Sequence, residues 1–268
     1  MGLAHKIQYL KNNNLFSDLD KAFFCDGYLM AIDVMNNAVN ETEIISLSDK
    51  LYKNIDELIN LFSEECKKKE QKIDCRKGCS ICCHQCVLIL PHELFCLFNF
   101  INNELRKQEI EEIKEKVIKK HTITKNMKAQ EFFHYKHPCP LLRNNSCMVY
   151  EVRPMACRIY LSSDVNSCER EYKYPTDFNI FPSLFQFPLR AGRMMNEGVY
   201  MALSENSYSQ TELKLETALF LIFKDKSLLN KWLQKENVFQ EYQLTDNEIA
   251  YLLRFGKSPD YLGDLSSL

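Results

Sequence analysis

The sequence predicts a mainly α protein, a helical domain around an irregular cysteine-rich metal-binding centre with little β-structure. Three observations predict it. Apolar residues recur at helical spacing on both sides of the middle of the chain. Ten of the twelve cysteines fall between Cys75 and Cys168. Only seven glycines occur in 268 residues, and neither G-x-G-x-x-G nor G-x-x-x-x-G-K-[ST] is present, which speaks against a Rossmann fold for a dinucleotide or S-adenosylmethionine and against a P-loop.

The chain divides into an N-terminal helical segment (1–74), a cysteine-cluster metal-binding region (75–170) and a C-terminal helical segment (171–268), expected to form one compact domain. In the first, Leu19, Phe23, Phe24, Tyr28, Ile32 and Met35 share a helix face. Ile44, Leu47, Leu51, Ile55, Leu58 and Phe62 mark a second helix ending near Lys67-Lys68-Lys69, where cations suit the C-terminal dipole. Cys75 to Cys86 is too dense in cysteine for a regular element and reads as a loop wrapped around something. Val87-Leu88-Ile89-Leu90 is a short apolar run. Pro91 then sits where proline opens a helix, continued by Leu94, Phe95, Leu97, Phe98 and Ile101.

Leu105, Ile113 and Val117 predict an exposed amphipathic helix to about Lys120, followed by a connector to His137. From Cys139 to Cys168 the chain reads as loop, with a turn at Asn144-Asn145-Ser146 and a short helix starting at Pro154. Further helices are expected over 194–203, 212–223 and 228–232. A last one opens at Thr245-Asp246-Asn247-Glu248, which has the form of a capping box. Phe178, Phe181, Phe185 and Phe187, interleaved with Pro182 and Pro188, should pack an irregular segment over the core.

Composition narrows the classes of function. With 46% hydrophobic and 12% aromatic residues, the chain can bury a full core without disulfides or metal. Its 34 basic and 36 acidic residues leave a net charge of -2, so a broadly basic nucleic-acid footprint is absent. No apolar run approaches the ~20 residues of a membrane span, and the start resembles no signal peptide. The expected location is the cytoplasm, where the thiol pool keeps cysteines reduced.

The cysteines therefore point to a metal. Thiolates are soft ligands that select zinc, copper(I) and iron–sulfur clusters, and a site must gather about four of them. Cys79-Ser80-Ile81-Cys82 is a C-x2-C knuckle, Cys75 adds a third thiolate, and Gly78 supplies turn freedom between them. Cys82 and Cys83 are adjacent, so their side chains tend to diverge: they serve one ion with strain, or two centres, or one cluster. Cys86 is open between ligand and buried thiol. Cys96 lies in an apolar helical run and reads as core, as do Cys25 and Cys66. His84, His92 and His137 stand near the cysteines as candidates for a mixed site. Glu93, in the first turn after Pro91, is a candidate ligand or base, with helix-start stabilisation as the commoner role.

Cys75-x3-Cys79-x2-Cys82-Cys83, followed by Cys139-Pro-Leu-Leu142, Cys147-Met-Val-Tyr-Glu-Val-Arg-Pro154 and Cys157-Arg158-x-Tyr160, resembles the YkgJ family of cysteine-cluster proteins, described as zinc- or iron-chelating. The resemblance covers about residues 75–168. It implies Cys75, Cys79, Cys82, Cys83, Cys139, Cys147 and Cys157 as metal ligands, with Cys168 as an eighth. Cys86, and Leu142 where phenylalanine is usual, depart from the pattern. Arg153 and Arg158 belong to the same block, and their guanidinium groups would offset the negative charge of several thiolates around a bound centre. Tyr150 and Tyr160 are read as packing residues.

The leading expectation is a protein that holds iron or an iron–sulfur cluster, with a redox or maturation role. The alternative is a zinc protein whose closed thiolate sites clamp the loops while a helical surface binds a protein or peptide partner. The cysteine motif is also similar to that of flagellin lysine-N-methylase, and C-x3-C-x2-C occurs in radical S-adenosylmethionine enzymes. The first would need a methyl-donor motif and the second repeated strand–helix units, neither of which is visible.

Overall fold

The computed structural model describes residues 17–244 apart from 38 and 178. Phe178 and the capping-box sequence at Thr245-Asp246-Asn247-Glu248 lie outside the described residues. Ten α-helices carry the described chain, and its six strands are short and antiparallel. The mainly helical expectation is met.

The first helix, α1 (Asp18–Met35), opens on a capping box in which the Ser17 hydroxyl accepts from the Asp20 N–H and the Asp20 carboxylate accepts from the Ser17 N–H. It buries Phe23, Phe24 and Tyr28, whereas Leu19, on the expected apolar face, is exposed. Helix α2 (Glu41–Lys68) buries Ile44, Leu47, Leu51 and Ile55, as its 3.6-residue periodicity demands. It ends at the exposed lysine run, where Lys68 and Lys69 pair with Glu65. Strand β1 (Leu88–Ile89) leads into α3 (Pro91–Glu104), which begins on Pro91 as the sequence indicates.

Helix α4 (Lys107–Thr124) runs one turn beyond Lys120, because Lys120, His121 and Thr124 are buried against later structure. Part of the expected connector is α5 (Ala129–His134), a helix too short to show periodicity. Strands β2 (Leu142–Arg143) and β3 (Ser146–Cys147) form a hairpin. Asn144 and Asn145 take φ 48 and 58 at its turn, the pair of left-handed residues that a two-residue hairpin loop requires. Helix α6 (Met155–Arg158) follows Pro154, strand β4 covers Ser162–Asp164, and α7 covers Val165–Lys173. Cys168 therefore lies on a helix and not in a loop. The sequence conceals α7 because only Ser167 and Cys168 of its residues are buried.

Strand β5 (Ser183–Leu184) pairs with β4. Helix α8 (Gln186–Glu205) starts eight residues before the expected Met194, since Phe187 and Pro188 occupy its first turn, where a missing N–H costs no hydrogen bond. Phe185 and Phe187 pack on Phe62, at 5.1 and 5.4 Å between ring centroids, as expected of this segment, but Phe181 is exposed. Strand β6 (Leu213–Lys214) pairs with β1, and α9 (Leu215–Lys224) and α10 (Leu228–Leu233) complete the helices.

The most extensive packing joins α1 to α8. At Gly27 an added Cβ would lie 1.9 Å from the Met195 carbonyl oxygen, and at Gly198 it would lie 2.1 Å from that of Phe24. Two backbones in contact leave room for no side chain there. Trp232, Phe95 and Phe239 pack together in the same core, with the Trp232 indole N–H donating to Ser209 O at 2.7 Å. No helix among the described residues is long and apolar enough to cross a membrane.

Candidate metal centre

Two loop blocks meet beside this helical frame. The first runs from Asp74 to Gln85. Asp74 pins its start: its N–H donates to Ser162 O at 3.0 Å, and its carboxylate accepts from the Val165 N–H at 2.9 Å. Lys72, 2.7 Å away, helps hold the Asp74 carboxyl below its ordinary range. Gly78 takes φ 88, the left-handed conformation that lets the loop reverse between Cys75 and Cys79. A 3-10 turn, Ile81–His84, then carries Cys82 and Cys83.

The second block docks on the first through backbone. The Cys139 N–H donates to Cys83 O at 2.7 Å, and the His137 N–H donates to His84 O at 3.1 Å. The β2–β3 hairpin sets Cys147 opposite Leu142. Gln85 donates to the Tyr160 hydroxyl at 2.7 Å, and the Ser162 N–H donates to the Cys75 sulfur at 3.2 Å.

All eight predicted cysteines border this junction. Cys75 is exposed, Cys79, Cys82, Cys83, Cys139, Cys147 and Cys157 are half-buried, and Cys168 is buried beneath them. Cys66 and Cys96 are buried in the helical part. Burial pushes the Cys96 thiol up to about 12, and its strongest charged neighbours are Asp49, Glu93 and Arg158. Cys86 is likewise pushed up to about 12 by burial and is surrounded by Lys136, Glu216 and Lys120. None of the groups acting most on Cys86 is a cysteine, although it shares Lys120 and Glu216 with Cys139.

Within the eight, the Cys83 thiol donates to the Cys82 sulfur. This favours the thiolate at Cys82, with Arg153 adding to the effect, and opposes it at Cys83. The other candidates with resolved shifts are raised, first by desolvation: Cys139 to about 11, Cys157 well above the ordinary thiol range, and Cys75, Cys147 and Cys168 upward. Protons hold those thiols until a cation displaces them. Among the described residues no three His, Cys, Asp or Glu side chains stand close enough to hold one ion as they are. The donor set nevertheless fits a soft or borderline metal in kind and number, since it offers eight thiols from the two blocks and α7. To close a shell, the sulfurs must draw together.

The two arginines separate. Arg153 faces the cysteines: its charge acts on Cys82 and Cys147, its guanidinium covers the Tyr150 ring at 3.9 Å, and it lies 3.7 Å from Asp56. The side chain of Arg158 is fully buried, paired with Asp56, donating to Glu151 O and lying 4.2 Å over the Tyr52 ring. It ties the second block to α2. Asp56 is the residue that sequence reasoning missed, and no local spacing could reveal a partner 102 positions away. Tyr160 is half-buried, its hydroxyl accepting from Gln85, whereas Tyr150 is exposed.

The histidines diverge as well. His92 is wholly buried in α3, with Asn196 and Gln210 as the polar side chains at its ring. His84 lies 3.0 Å from Ser80 O and edge-on to Tyr172, while His137 stacks on Tyr135. Glu93 caps two helices at once: it accepts from the Leu90 N–H at 3.1 Å and from the Met155 N–H at 2.7 Å, with the Tyr52 hydroxyl 3.3 Å away.

A helical frame presenting two cysteine loops to one another defines a thiolate metal-binding class. Residues 74–178 match the model of the CxxCxxCC family, described as "Putative zinc- or iron-chelating domain". The match spans both cysteine blocks and leaves α1, most of α2 and the helices from α8 onward outside it. No curated protein and no solved structure matches the chain.

Proposed function

We propose that the centre holds iron, as an iron–sulfur cluster or thiolate-bound iron, and serves electron transfer or the maturation of other iron proteins. The observation that carries this reading is the exposure of the candidate ligands. A site with a purely structural role gains from being sealed, yet here Cys75 is exposed and six more of the eight cysteines are only half-buried, so that a donor or acceptor can approach. Cys75-x3-Cys79-x2-Cys82 is also a spacing that holds a cluster. Tyr150, Tyr172, Tyr174 and Phe181 are exposed on and just after the second block, which suits a protein or peptide partner.

Zinc is the second reading. It is favoured by the number of thiols, which suffices for closed four-thiolate shells that would clamp the two loops. Metal and acid-labile sulfide measured on protein purified without oxygen, with an absorption spectrum of the same sample, decide between them. Iron with stoichiometric sulfide supports the first reading, and zinc alone supports the second. Protein that holds neither metal and takes up neither on reconstitution sinks both.

A further inference from the structure

Between Glu115 and Glu131 the sequence holds five lysines and neither aspartate nor glutamate. The stretch thus carries +5 in a chain whose net charge is -2, which leaves -7 for everything else. It covers the second half of α4 and the linker to α5. Two of the five lysines are engaged inside the molecule. Lys120 is buried and donates to His137 O at 3.2 Å, and Lys116 is held between Glu112 and Leu142 O, 2.7 and 2.9 Å away. Both tie α4 to the second cysteine block. Lys119, Lys125 and Lys128 are exposed, and none of them has a carboxylate within ion-pair distance among the described residues.

Helix α4 presents these cations on a fixed platform. Its inner face, Ile113, Val117, Lys120, His121 and Thr124, is buried. Against α9, His121 stacks on Phe220 with ring centroids 4.2 Å apart and lies 3.1 Å from the Thr217 hydroxyl, and Thr124 donates to Glu216 at 2.8 Å. On the outer face Ile118, Thr122 and Lys125 form one row at i, i+4 and i+7, and Lys119 and Ile123 form the next. Ile118 is 53% and Ile123 39% exposed. A solvated helix surface has no use for a β-branched side chain, since straight-chain residues favour the helix more. The C-terminal dipole accounts for Lys125 at the cap, but it fades within the last turn, short of Lys119, and Lys128 lies beyond the helix.

We propose that the outer face of α4 from Ile118 to Lys125, with Lys128 beside it, docks a protein partner that offers apolar side chains flanked by carboxylates. The two isoleucines supply the apolar centre of a small interface and the three free lysines its charged rim. Three cations fall short of the about 6–10 phosphate contacts of a strong nucleic-acid footprint, and an apolar centre gives nothing to a phosphate backbone. An anionic bilayer would meet Glu111 and Glu115, which are exposed on the same outer face. A second copy of the chain on a twofold axis would set lysine against lysine. The face stands whatever the thiols hold, and through Lys116 and Lys120 it adjoins the second cysteine block.

The test is fluorescence anisotropy of a labelled helical peptide bearing leucines between glutamates, titrated with the full-length chain at low and at physiological salt. Wild type is expected to bind, more weakly at the higher salt. Lys119→Glu with Lys125→Glu, and separately Ile118→Asn with Ile123→Asn, should each weaken binding at least about tenfold. Lys67→Glu with Lys68→Glu, an exposed pair at the end of α2, should leave it unchanged. Helical circular dichroism checks folding, and Ile118→Ala with Ile123→Ala replaces the asparagine variant should that one fail to fold. The same preparations are titrated with a peptide whose glutamates are glutamines, with a short DNA duplex and with phosphatidylserine vesicles, and sedimentation measures their mass.

No binding of the acidic peptide, equal binding of its glutamine form, or an equal loss in the Lys67 and Lys68 variant would overturn the proposal. Loss in the Lys119 and Lys125 variant alone, with the isoleucine variant unaffected, would reduce the face to bare charge attraction and overturn it as well. Tighter binding of the duplex or the vesicles, lost in the same variants, would reassign the face to nucleic acid or to a membrane. A wild-type dimer that these variants dissociate would reassign it to a second copy of the chain.

Discussion

Glu93 is where the helical frame holds the second cysteine block. Its fully buried carboxylate receives the Leu90 N–H that opens α3, the Met155 N–H that opens α6, and the Tyr52 hydroxyl from α2. Glu93→Ala leaves two buried N–H groups and one hydroxyl without an acceptor. Each such loss costs about 1–3 kcal/mol, and the variant also relieves the burial that raises the Glu93 carboxyl above its ordinary range. The net expectation is a loss on the order of 3–5 kcal/mol. Glu93→Gln keeps one oxygen for Met155 and Tyr52 and turns an amide NH2 toward Leu90, so it should cost about 1–2 kcal/mol.

Urea unfolding at neutral pH, followed by helical circular dichroism and by the fluorescence of Trp232, the sole tryptophan, measures both variants. Because Met155 lies two residues before Cys157, Glu93→Ala should also lose metal that an equally destabilised core variant keeps. A Glu93→Ala protein within about 0.5 kcal/mol of wild type, the usual range for surface changes, would refute the view that this carboxylate joins frame and block.

The same geometry makes three further predictions. Gly27→Ala drives a methyl into the Met195 carbonyl at the α1–α8 crossing, so a loss of about 3 kcal/mol in urea unfolding is expected, with metal content per folded chain unchanged. Asp56→Ala should destabilise more than Arg158→Met, by about 1–2 kcal/mol, because the first strands a buried guanidinium while the second leaves a carboxylate that is 41% exposed and can rehydrate; the reverse order in the same assay would count against this. His92 is held down to about 4 by burial, from 6.5, so between those values the unfolded chain binds a proton that the native one does not. Its contribution to stability is complete above pH 6.5 and falls by about 3 kcal/mol as pH drops to 4. Comparing wild type with His92→Gln over this window isolates that slope from the opposing one of Glu93, whose raised carboxyl loses its stabilising effect as pH rises, and parallel slopes would exclude the assignment.

What could be read from the sequence follows from how local each determinant is. Helix α2 announces itself because one face repeats over 28 residues, and α3 because Pro91 fixes its first turn. Asn144-Asn145 marks the hairpin because those two types tolerate positive φ. Helix α7 escapes because it is short and polar, with only Ser167 and Cys168 buried, and the start of α8 escapes because Pro188 looks like a break although a first turn accepts it. Among the cysteines, spacing finds the eight because thiolate chemistry forces ligands to cluster. It says nothing of Arg158 with Asp56 or of Cys83 with Cys139, since such pairings exist only once distant helices pack.

The frame and the centre therefore answer to different forces, and removing metal should separate them. The core is closed by apolar packing among α1, α2, α3, α8 and α9, and by Trp232; Cys139 and Cys147 only border it. The loops depend on a handful of backbone hydrogen bonds and on thiols that stand apart until an ion draws them in. A chelator should leave helical circular dichroism and Trp232 fluorescence nearly unchanged while proteolytic cutting rises between residues 74 and 86 and between 138 and 157, where backbone protection is thinnest. Zinc acting as the clamp of the whole fold predicts the opposite, a cooperative loss of both signals on chelation. Cutting confined to the two loops would mean that the frame holds the ligands in reach and the metal is a replaceable guest, which is what handing on an electron or an ion requires.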